Sequence, residues 1–127
     1  LAACFDVIGT GDEKFGEENW EAAESALFKE TVSTAIKKGG FSPDDIDILA
    51  SGDLLNQCTA TGYAARSLAI PYLGLYGACS TMAESLMLAS MAATLCQEPV
   101  TVKGVEALNK SWPDFLNVYE SLGGIVK

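Results

Sequence analysis

The stretch from residue 69 to residue 95 decides the fold of this chain, and it divides into three pieces. They are the apolar run Ala69-Ile-Pro-Tyr-Leu-Gly-Leu-Tyr76, the turn Gly77-Ala-Cys-Ser-Thr81, and the run Met82-Ala-Glu-Ser-Leu-Met-Leu-Ala-Ser-Met-Ala-Ala-Thr-Leu95. The first run has the length and composition of a buried strand, and the third has those of a buried helix. The sequence therefore predicts a strand, a tight turn and a helix in succession, as in an α/β protein.

Cys79 lies at the centre of this turn, just before the predicted helix. The free N–H groups and the positive end of the dipole at a helix N-terminus would favour a thiolate there. The local pattern also resembles the nucleophile elbow of hydrolases, with cysteine in place of serine. A free cysteine is otherwise a common small core residue. Two interpretations stay open: a functional thiol that faces a cavity, or a buried structural cysteine.

The composition limits the class of protein. The 127 residues are 49% hydrophobic, which suits one domain with a substantial core. The net charge is −9, and such a surface repels phosphate backbones, so we expect no nucleic-acid partner. Acidic residues are concentrated near the start of the chain, where they are typical of a solvated loop and a helix N-terminus.

The cysteines, at positions 4, 58, 79 and 96, match no zinc motif, and the chain has no histidine. We therefore expect no metal site and no cofactor. Their spacing is not that of a disulfide framework, which favours a reducing, intracellular compartment. The first residues lack the basic and apolar regions of a signal peptide, and no apolar run reaches the roughly 20 residues that span a bilayer.

The rest of the chain predicts further helices and strands. An amphipathic helix is expected from Glu17 to Lys38, capped by Gly39 or Gly40, with one face packed on a sheet. That face comprises Trp20, Ala23, Leu27, Val32, Ala35 and Ile36. The elements expected next are a short turn at Ser42-Pro43, a strand over Ile46–Ala50, a helix over Thr59–Leu68, a helix over Ser80–Leu95 and a strand over Val100–Val102. The last expected element is a helix that opens near Ser111-Trp112-Pro113 and ends at Gly123-Gly124. Its apolar face carries Phe115, Tyr119 and Leu122.

A second group of candidate site residues follows the first predicted strand. Asp53, Asn56 and Gln57 lie in the loop after it. Ligands of open α/β sheets bind outside the carboxyl ends of the strands, so these three side chains are candidates for ligand binding. The same residue types also cap helices and turns, which is the alternative interpretation.

The helix predicted after Cys79 is apolar on every face, and such a helix must be covered on every side. The chain offers only two or three strands, which cover one side at best. We therefore expect that Leu86, Met87, Leu88 and Met91 are not all buried by this chain alone. Either an apolar patch is open where further sequence would dock, or a second copy covers it.

Several of these motifs together resemble the family of stage V sporulation protein AD. The resemblance rests on Asp45-Ile-Asp-Ile-Leu-Ala50 followed by Gly52-Asp-Leu-Leu-Asn-Gln57, and on Gly77-Ala-Cys-Ser-Thr81. Ala65-Arg66, Ile70-Pro-Tyr-Leu-Gly74 and the helix from Trp20 with Ala23-Glu24 extend it, so that it covers about residues 1–95. It implies the thiolase-like fold, an α/β architecture with αβαβα layers. Residues 1–96 would be part of its first half, and residues 97–127 an unassigned tail that is a continuation or a junction.

The resemblance also implies a function, which is binding rather than catalysis. The expected ligand is dipicolinic acid (pyridine-2,6-dicarboxylate), with or without calcium, during its uptake into the forespore and its release in germination. The expected partners are the stage V AC and AE sporulation proteins at the spore inner membrane, where this protein would be peripheral, and a second copy in a homodimer. The expected ligand-binding residues are Cys79, Asp53, Asn56, Gln57 and Ser80.

The alternative function is acyl transfer of the thiolase or ketoacyl synthase class, with Cys79 as the nucleophile. Such enzymes use histidine or asparagine partners from their second half, and this chain has no histidine. An elbow of the α/β-hydrolase type is a weaker match, because it would place glycine where Thr81 stands. We therefore expect that this chain is not an enzyme by itself.

Overall fold

The computed structural model of the protein describes residues 7–9, 11–55, 57–102, 105, 109 and 112–126. Cys4 and the candidate site residue Asn56 lie outside the described residues. The regular elements are α1 (Trp20–Gly39), β1 (Leu49–Ser51), α2 (Thr59–Leu68), β2 (Tyr72–Gly74), α3 (Thr81–Ala93) and α4 (Phe115–Ser121), with short 3-10 turns at Pro43–Asp45 and Ala78–Ser80. The predicted α/β class is confirmed, while the layered thiolase-like sandwich stays a prediction.

The strands β1 and β2 form a parallel pair, and α2 connects them. Leu49 lies opposite Tyr72, and Ser51 lies opposite Gly74. Both strands are shorter than the runs that predicted them. At the start of the first run, Ile46 is drawn into the preceding 3-10 turn, where its N–H donates to the Pro43 carbonyl at 3.2 Å. The ladder therefore begins only at Leu49, whose N–H donates to the Pro71 carbonyl at 2.8 Å.

Helix α1 begins and ends at the signals that its sequence contains. Asn19 caps its N-terminus, since the side chain accepts the Ala22 N–H at 2.8 Å. Gly40 ends it in the left-handed conformation, with φ of 79°, and its N–H donates to the Ile36 and Lys37 carbonyls. The predicted helix and its glycine cap are confirmed, although the helix begins at Trp20 and not at Glu17.

The predicted buried face of α1 is only partly right. Ala23 and Ile36 are buried, but Trp20 is 60% exposed and Leu27 is 47% exposed. The helix packs mainly against α2 and not on the sheet, where the sequence predicted it, and the small side chains of α2 cover only part of the predicted face. Trp20 instead lies under the Lys14 ammonium group, 5.2 Å from the ring centre, in a cation–π contact.

Helix α2 has the predicted bounds and lies between α1 and β2. Two pairs of neighbouring small residues are buried along it: Ala60 with Thr61, and Ala64 with Ala65. Small side chains let the helix approach its neighbours closely, so the core of the described residues consists largely of alanine here. Ile70 and Leu75, which flank β2, complete the buried cluster.

Helix α3 packs on β1 but is not enclosed. The Ser85 hydroxyl donates to the Ala50 carbonyl at 3.3 Å and ties the two elements together. None of its residues is buried, and Met87 and Met91 are 47% and 63% exposed. The expectation that the apolar helix is not covered by this chain alone is therefore confirmed.

The last part of the chain differs in two respects from the prediction. The segment Val100–Val102 forms no strand, because no neighbouring backbone pairs with it in the described residues. Helix α4 is confirmed, with Phe115 buried beneath an edge-on contact from Trp112 at 5.2 Å between ring centroids. Leu122, predicted on the same face, is 82% exposed. Gly123 follows the helix with φ of 96°, as its predicted role in ending α4 requires.

Candidate functional site

The two loops that carry the candidate residues meet at the carboxyl ends of the parallel strands. The loop after β1 begins at Gly52, and the chain after β2 runs through Leu75 to Cys79. A Cβ on residue 52 would overlap the Leu75 carbonyl and would lie 3.1 Å from the Thr81 hydroxyl oxygen. Only a glycine allows this approach, and it brings the start of α3 against the loop after β1.

Asp53 turns its side chain inward, toward the start of α2. It is 4% exposed, and its Oδ1 accepts the Gln57 N–H at 3.0 Å. Burial raises the pKa of Asp53, but the backbone N–H groups of Gln57, Cys58, Thr61 and Ala60 outweigh burial and hold the pKa below the ordinary value of 3.8. Asp53 is therefore ionised at neutral pH, and its Oδ2 is buried without a hydrogen-bond partner among the described residues.

The other residues of this loop face outward. Leu54 and Leu55 are 68% and 57% exposed, and Gln57 is exposed. Glu24 of α1 reaches across to the loop, since its Oε1 accepts the Leu54 N–H at 3.4 Å. The loop thus presents two leucines and an amide to solvent, while its acidic residue is held inside.

Cys79 lies in the 3-10 turn Ala78–Ser80, which leads directly into α3. The sequence predicted that this helix begins at Ser80, and the regular helix begins one residue later, at Thr81. The side chain is exposed and lines neither of the two cavities described below. In the described part of the chain, Cys79 is therefore not a buried core residue, and its thiol does not face either of these cavities as the other interpretation predicted.

Ser80 contacts an acidic side chain beside this turn. Its hydroxyl lies 2.8 Å from Oε1 of Glu84 and 2.9 Å from the Gly77 carbonyl. Glu84 folds back over Gly77, where a Cβ would overlap its carboxylate. A negative charge therefore occupies the first turn of α3 next to Cys79, where the sequence predicted an open helix N-terminus.

A buried hydroxyl group that the sequence analysis missed lies between the two strands. The Tyr72 hydroxyl is 2.9 Å from the Ser51 carbonyl and 2.7 Å from the Thr61 hydroxyl. Burial raises the pKa of Tyr72 to about 12, against the opposite effect of the Thr61 hydrogen bond. The signal in the sequence is a tyrosine within an apolar run, two residues after the buried Ile70.

Cys58 completes this polar cluster. Its thiol donates to the Leu75 carbonyl at 3.3 Å. Its sulfur lies 3.1 Å from the point where a Cβ would stand at Gly74. The residue adopts a left-handed backbone, with φ of 55°, directly before α2. The cluster of Ser51, Asp53, Cys58, Thr61 and Tyr72 therefore joins β1, β2 and the first turns of α2.

Two surface cavities lie away from this junction. One, of about 500 Å³, runs between α1 and α2, and the other, of about 710 Å³, lies between α3 and the C-terminal segment. Neither is lined by a predicted site residue. In the part of the chain that the structure describes, no group of three or more acidic, cysteine or histidine side chains could hold a metal ion.

Comparison with known proteins shows the family. The sequence model of stage V sporulation protein AD matches residues 1–104, which include both loops of the candidate site. The chain belongs to the stage V sporulation protein AD family. Stage V sporulation protein AD of Bacillus subtilis (strain 168) is 46% identical over 91 residues, which are 71% of this chain and 26% of that protein. The chain thus spans about a quarter of the length of this relative.

The family match extends to residue 104, beyond residue 95, where the resemblance read from the motifs ended. Both Gly52-Asp-Leu-Leu-Asn-Gln57 and Gly77-Ala-Cys-Ser-Thr81 lie inside the matched segment. The assignment to a family of sporulation proteins is therefore confirmed. Among the described residues, no helix is both long enough and apolar enough to cross a membrane.

Proposed function

We propose that this chain forms part of a sporulation protein that binds dipicolinic acid, with or without calcium, for uptake into the forespore and release in germination. The observation that supports this most is that the two motifs that carry the resemblance meet in space. Gly52 after β1 contacts Leu75 and Thr81 after β2, although the two loops are separated by α2 in the sequence. Ligands of parallel sheets bind at this edge.

The ligand's chemistry suits a site built from loop ends. Dipicolinate is a planar aromatic dianion, so it offers a flat apolar face and two carboxylates. The loop after β1 exposes Leu54 and Leu55, which can contact the face, and Gln57, which can donate to a carboxylate. Cys79 and Ser80 lie exposed on the neighbouring turn. Asp53 is the exception, because its buried carboxylate supports the loop from inside.

Charge favours the calcium salt over the free dianion. The chain carries a net charge of −9, and Glu84 lies beside Ser80 at the candidate site. A dianion that approaches this surface is repelled, whereas a ligand neutralised by calcium is not. We infer that calcium strengthens binding by removing this repulsion.

The cellular setting follows from the proposed function. The stage V AC and AE sporulation proteins are the proposed partners, and the spore inner membrane is the proposed location, with this protein at its surface. The exposed apolar face of α3 supports a further contact, either with the rest of the full-length protein or with a second copy in a homodimer.

Acyl transfer is the second candidate function, and one observation favours it. Cys79 is exposed and lies directly before α3, as a nucleophile must. The chain has no histidine to act as a base, however, and a carboxylate lies beside the turn. We propose that this chain by itself turns over no acyl-thioester.

Titration calorimetry separates the two functions. Dipicolinate and its calcium salt are titrated into the chain, with benzene-1,3-dicarboxylate as the analogue that lacks the ring nitrogen. We expect saturable binding of dipicolinate, tighter binding with calcium, and no binding of the analogue. Substitution Cys79→Ala should change the affinity, while Cys96→Ala, which changes an exposed thiol beyond α3, should not. Thioester turnover that is lost in Cys79→Ala would instead establish the enzyme.

A further inference from the structure

The loop of residues 52–57 is held at its first end by two hydroxyl groups. The Tyr72 hydroxyl lies 2.9 Å from the Ser51 carbonyl and 2.7 Å from Thr61 Oγ1. A phenol has one proton and a carbonyl can only accept, so Tyr72 donates to Ser51 and Thr61 donates to Tyr72. The order of donors is therefore fixed from α2 through β2 to the end of β1.

The Ser51 carbonyl is held from two sides. The Leu75 N–H also donates to it, at 2.9 Å, in addition to Tyr72. A carbonyl oxygen has two lone pairs, and both are used here. Ser51 is the last residue of β1, so these bonds set the orientation of the peptide from which the loop departs.

Thr61 also acts on the other side of the loop. Its backbone N–H is one of the groups that favour the charged form of Asp53, whose Oδ1 accepts the Gln57 N–H at 3.0 Å. The residue is 1% exposed. The Thr61 hydroxyl thus supports the start of the loop through Tyr72, whereas the effect of Thr61 on Asp53 comes from the main chain alone.

We propose that Thr61 and Tyr72 are positioning residues for ligand binding by the loop of residues 52–57, an inference that rests on the proposed function. The Thr61 side chain is buried and the Tyr72 hydroxyl is engaged on both sides. They act by fixing where Gly52 leaves β1. A fixed loop needs no ordering when the ligand arrives, and this raises affinity.

The experiment compares matched substitutions. Thr61→Val keeps the shape and removes the hydroxyl, Thr61→Ser keeps the hydroxyl, and Tyr72→Phe removes only the phenol oxygen. The control is Tyr63→Phe, since Tyr63 lies on the same helix and is 64% exposed. Calorimetry with dipicolinate is done at a temperature at which every variant is folded. Hydrogen exchange of the Leu75 and Gln57 amides, which donate to Ser51 and Asp53, is measured without ligand.

We expect that Thr61→Val and Tyr72→Phe weaken dipicolinate binding about three- to tenfold, as the loss of one hydrogen bond does. Thr61→Ser and Tyr63→Phe should bind within about twofold of the wild type. Exchange at the Leu75 amide should accelerate only in the first two variants, and exchange at the Gln57 amide should be unchanged in all of them, because every variant keeps the Asp53 carboxylate. Wild-type affinity in folded Thr61→Val and Tyr72→Phe, or equal losses in Thr61→Ser and Thr61→Val, would overturn the proposal.

The two measurements also separate this inference from the function on which it rests. If the wild type binds no dipicolinate while exchange responds as expected, the proposed function is wrong, and so is the role of the two residues in positioning the loop for that ligand. The two hydroxyls would then order the loop without a part in dipicolinate binding. If the wild type binds and the variants bind equally well, the function stands and the positioning role is wrong.

Discussion

Gly52 packs directly against the main-chain carbonyl of Leu75, so the backbone after β1 touches the backbone after β2 with no side chain between them. Neither backbone can rotate away as a flexible side chain could. The contact therefore requires glycine at this position, and it holds together the two loops that carry the candidate site.

Replacing this glycine should destabilise the fold. In Gly52→Ala the new methyl group would overlap the Leu75 carbonyl, and the strands would have to shift. We expect the free energy of unfolding to fall by about 1–3 kcal/mol, the usual range for overpacking. Urea denaturation followed by circular dichroism measures this change.

Gly62 is the matched control for that substitution. It lies within α2, and a Cβ there would meet no atom within 4 Å. Gly62→Ala should therefore stabilise the protein by about 0.5–1 kcal/mol, because alanine loses less backbone entropy in a helix. Equal stability of Gly52→Ala and the wild type would contradict the close approach of the two loops.

The Asp53 carboxylate should make stability depend on pH on the acidic side. Its pKa lies below the ordinary 3.8 in the folded state, so its contribution is complete above pH 3.8 and is lost as the pH falls through the folded-state pKa. Asp53→Asn should cost about 1–2 kcal/mol at pH 7, since a charged hydrogen bond is removed. The difference from the wild type should shrink as the pH drops below 3.8.

Denaturant titrations at a series of pH values test this. Asp47→Asn is the control, because Asp47 is exposed, and it should stay within about 0.5 kcal/mol of the wild type. A constant gap between Asp53→Asn and the wild type from pH 7 to pH 2 would mean that the charge of Asp53 is not what stabilises the loop.

The cysteine thiols should differ in their rates of alkylation. Cys79 is exposed, whereas Cys58 is half-buried and donates to the Leu75 carbonyl at 3.3 Å. Under native conditions iodoacetamide should label Cys79 at least roughly tenfold faster than Cys58, because access limits the reaction. Peptide mapping by mass spectrometry gives both rates, and equal rates in urea show that the folded state causes the difference.

The apolar face of α3 should bind other apolar surfaces in the isolated chain. Met87 and Met91 are 47% and 63% exposed, and Leu95, just after the helix, is 88% exposed. We expect a hydrophobic dye to bind, or sedimentation to report a dimer, and the double substitution Met87→Lys with Met91→Lys to abolish either signal. Leu122→Lys, at an exposed site just after α4, should leave it unchanged. A monomer without dye binding would show that this face needs no cover.

Much of the fold could be predicted from local signals. The bounds of α2, the Gly40 cap of α1 and the short turn at Pro43–Asp45 all follow from residues close to one another in the sequence. The exposed position of Trp20 could not, because it depends on which face α2 covers and on the Lys14 ammonium group over its ring. The predicted lengths of the two strands were also wrong, because the length of a strand depends on the backbone of the strand that pairs with it.

The sequence predicted where the candidate site residues lie along the chain, but not which way their side chains face. The sequence places Asp53 and Cys79 after two strands, and the structure brings those two chain segments together. That Asp53 faces inward depends on four backbone N–H groups, two just before α2 and two within it. That Tyr72 reaches Ser51 depends on strand register. These are long-range relations, and no spacing within one segment encodes them.

The most direct test of the central claim is an NMR titration of the ¹⁵N-labelled chain with dipicolinate. The amides of residues 52–57 and 77–80 come from two separate loops, so a ligand at their junction should shift both sets with one saturation curve. Benzene-1,3-dicarboxylate should shift neither set. Shifts confined to the cavity between α1 and α2, equal shifts with both compounds, or none at all would contradict a dipicolinate site at the carboxyl ends of β1 and β2.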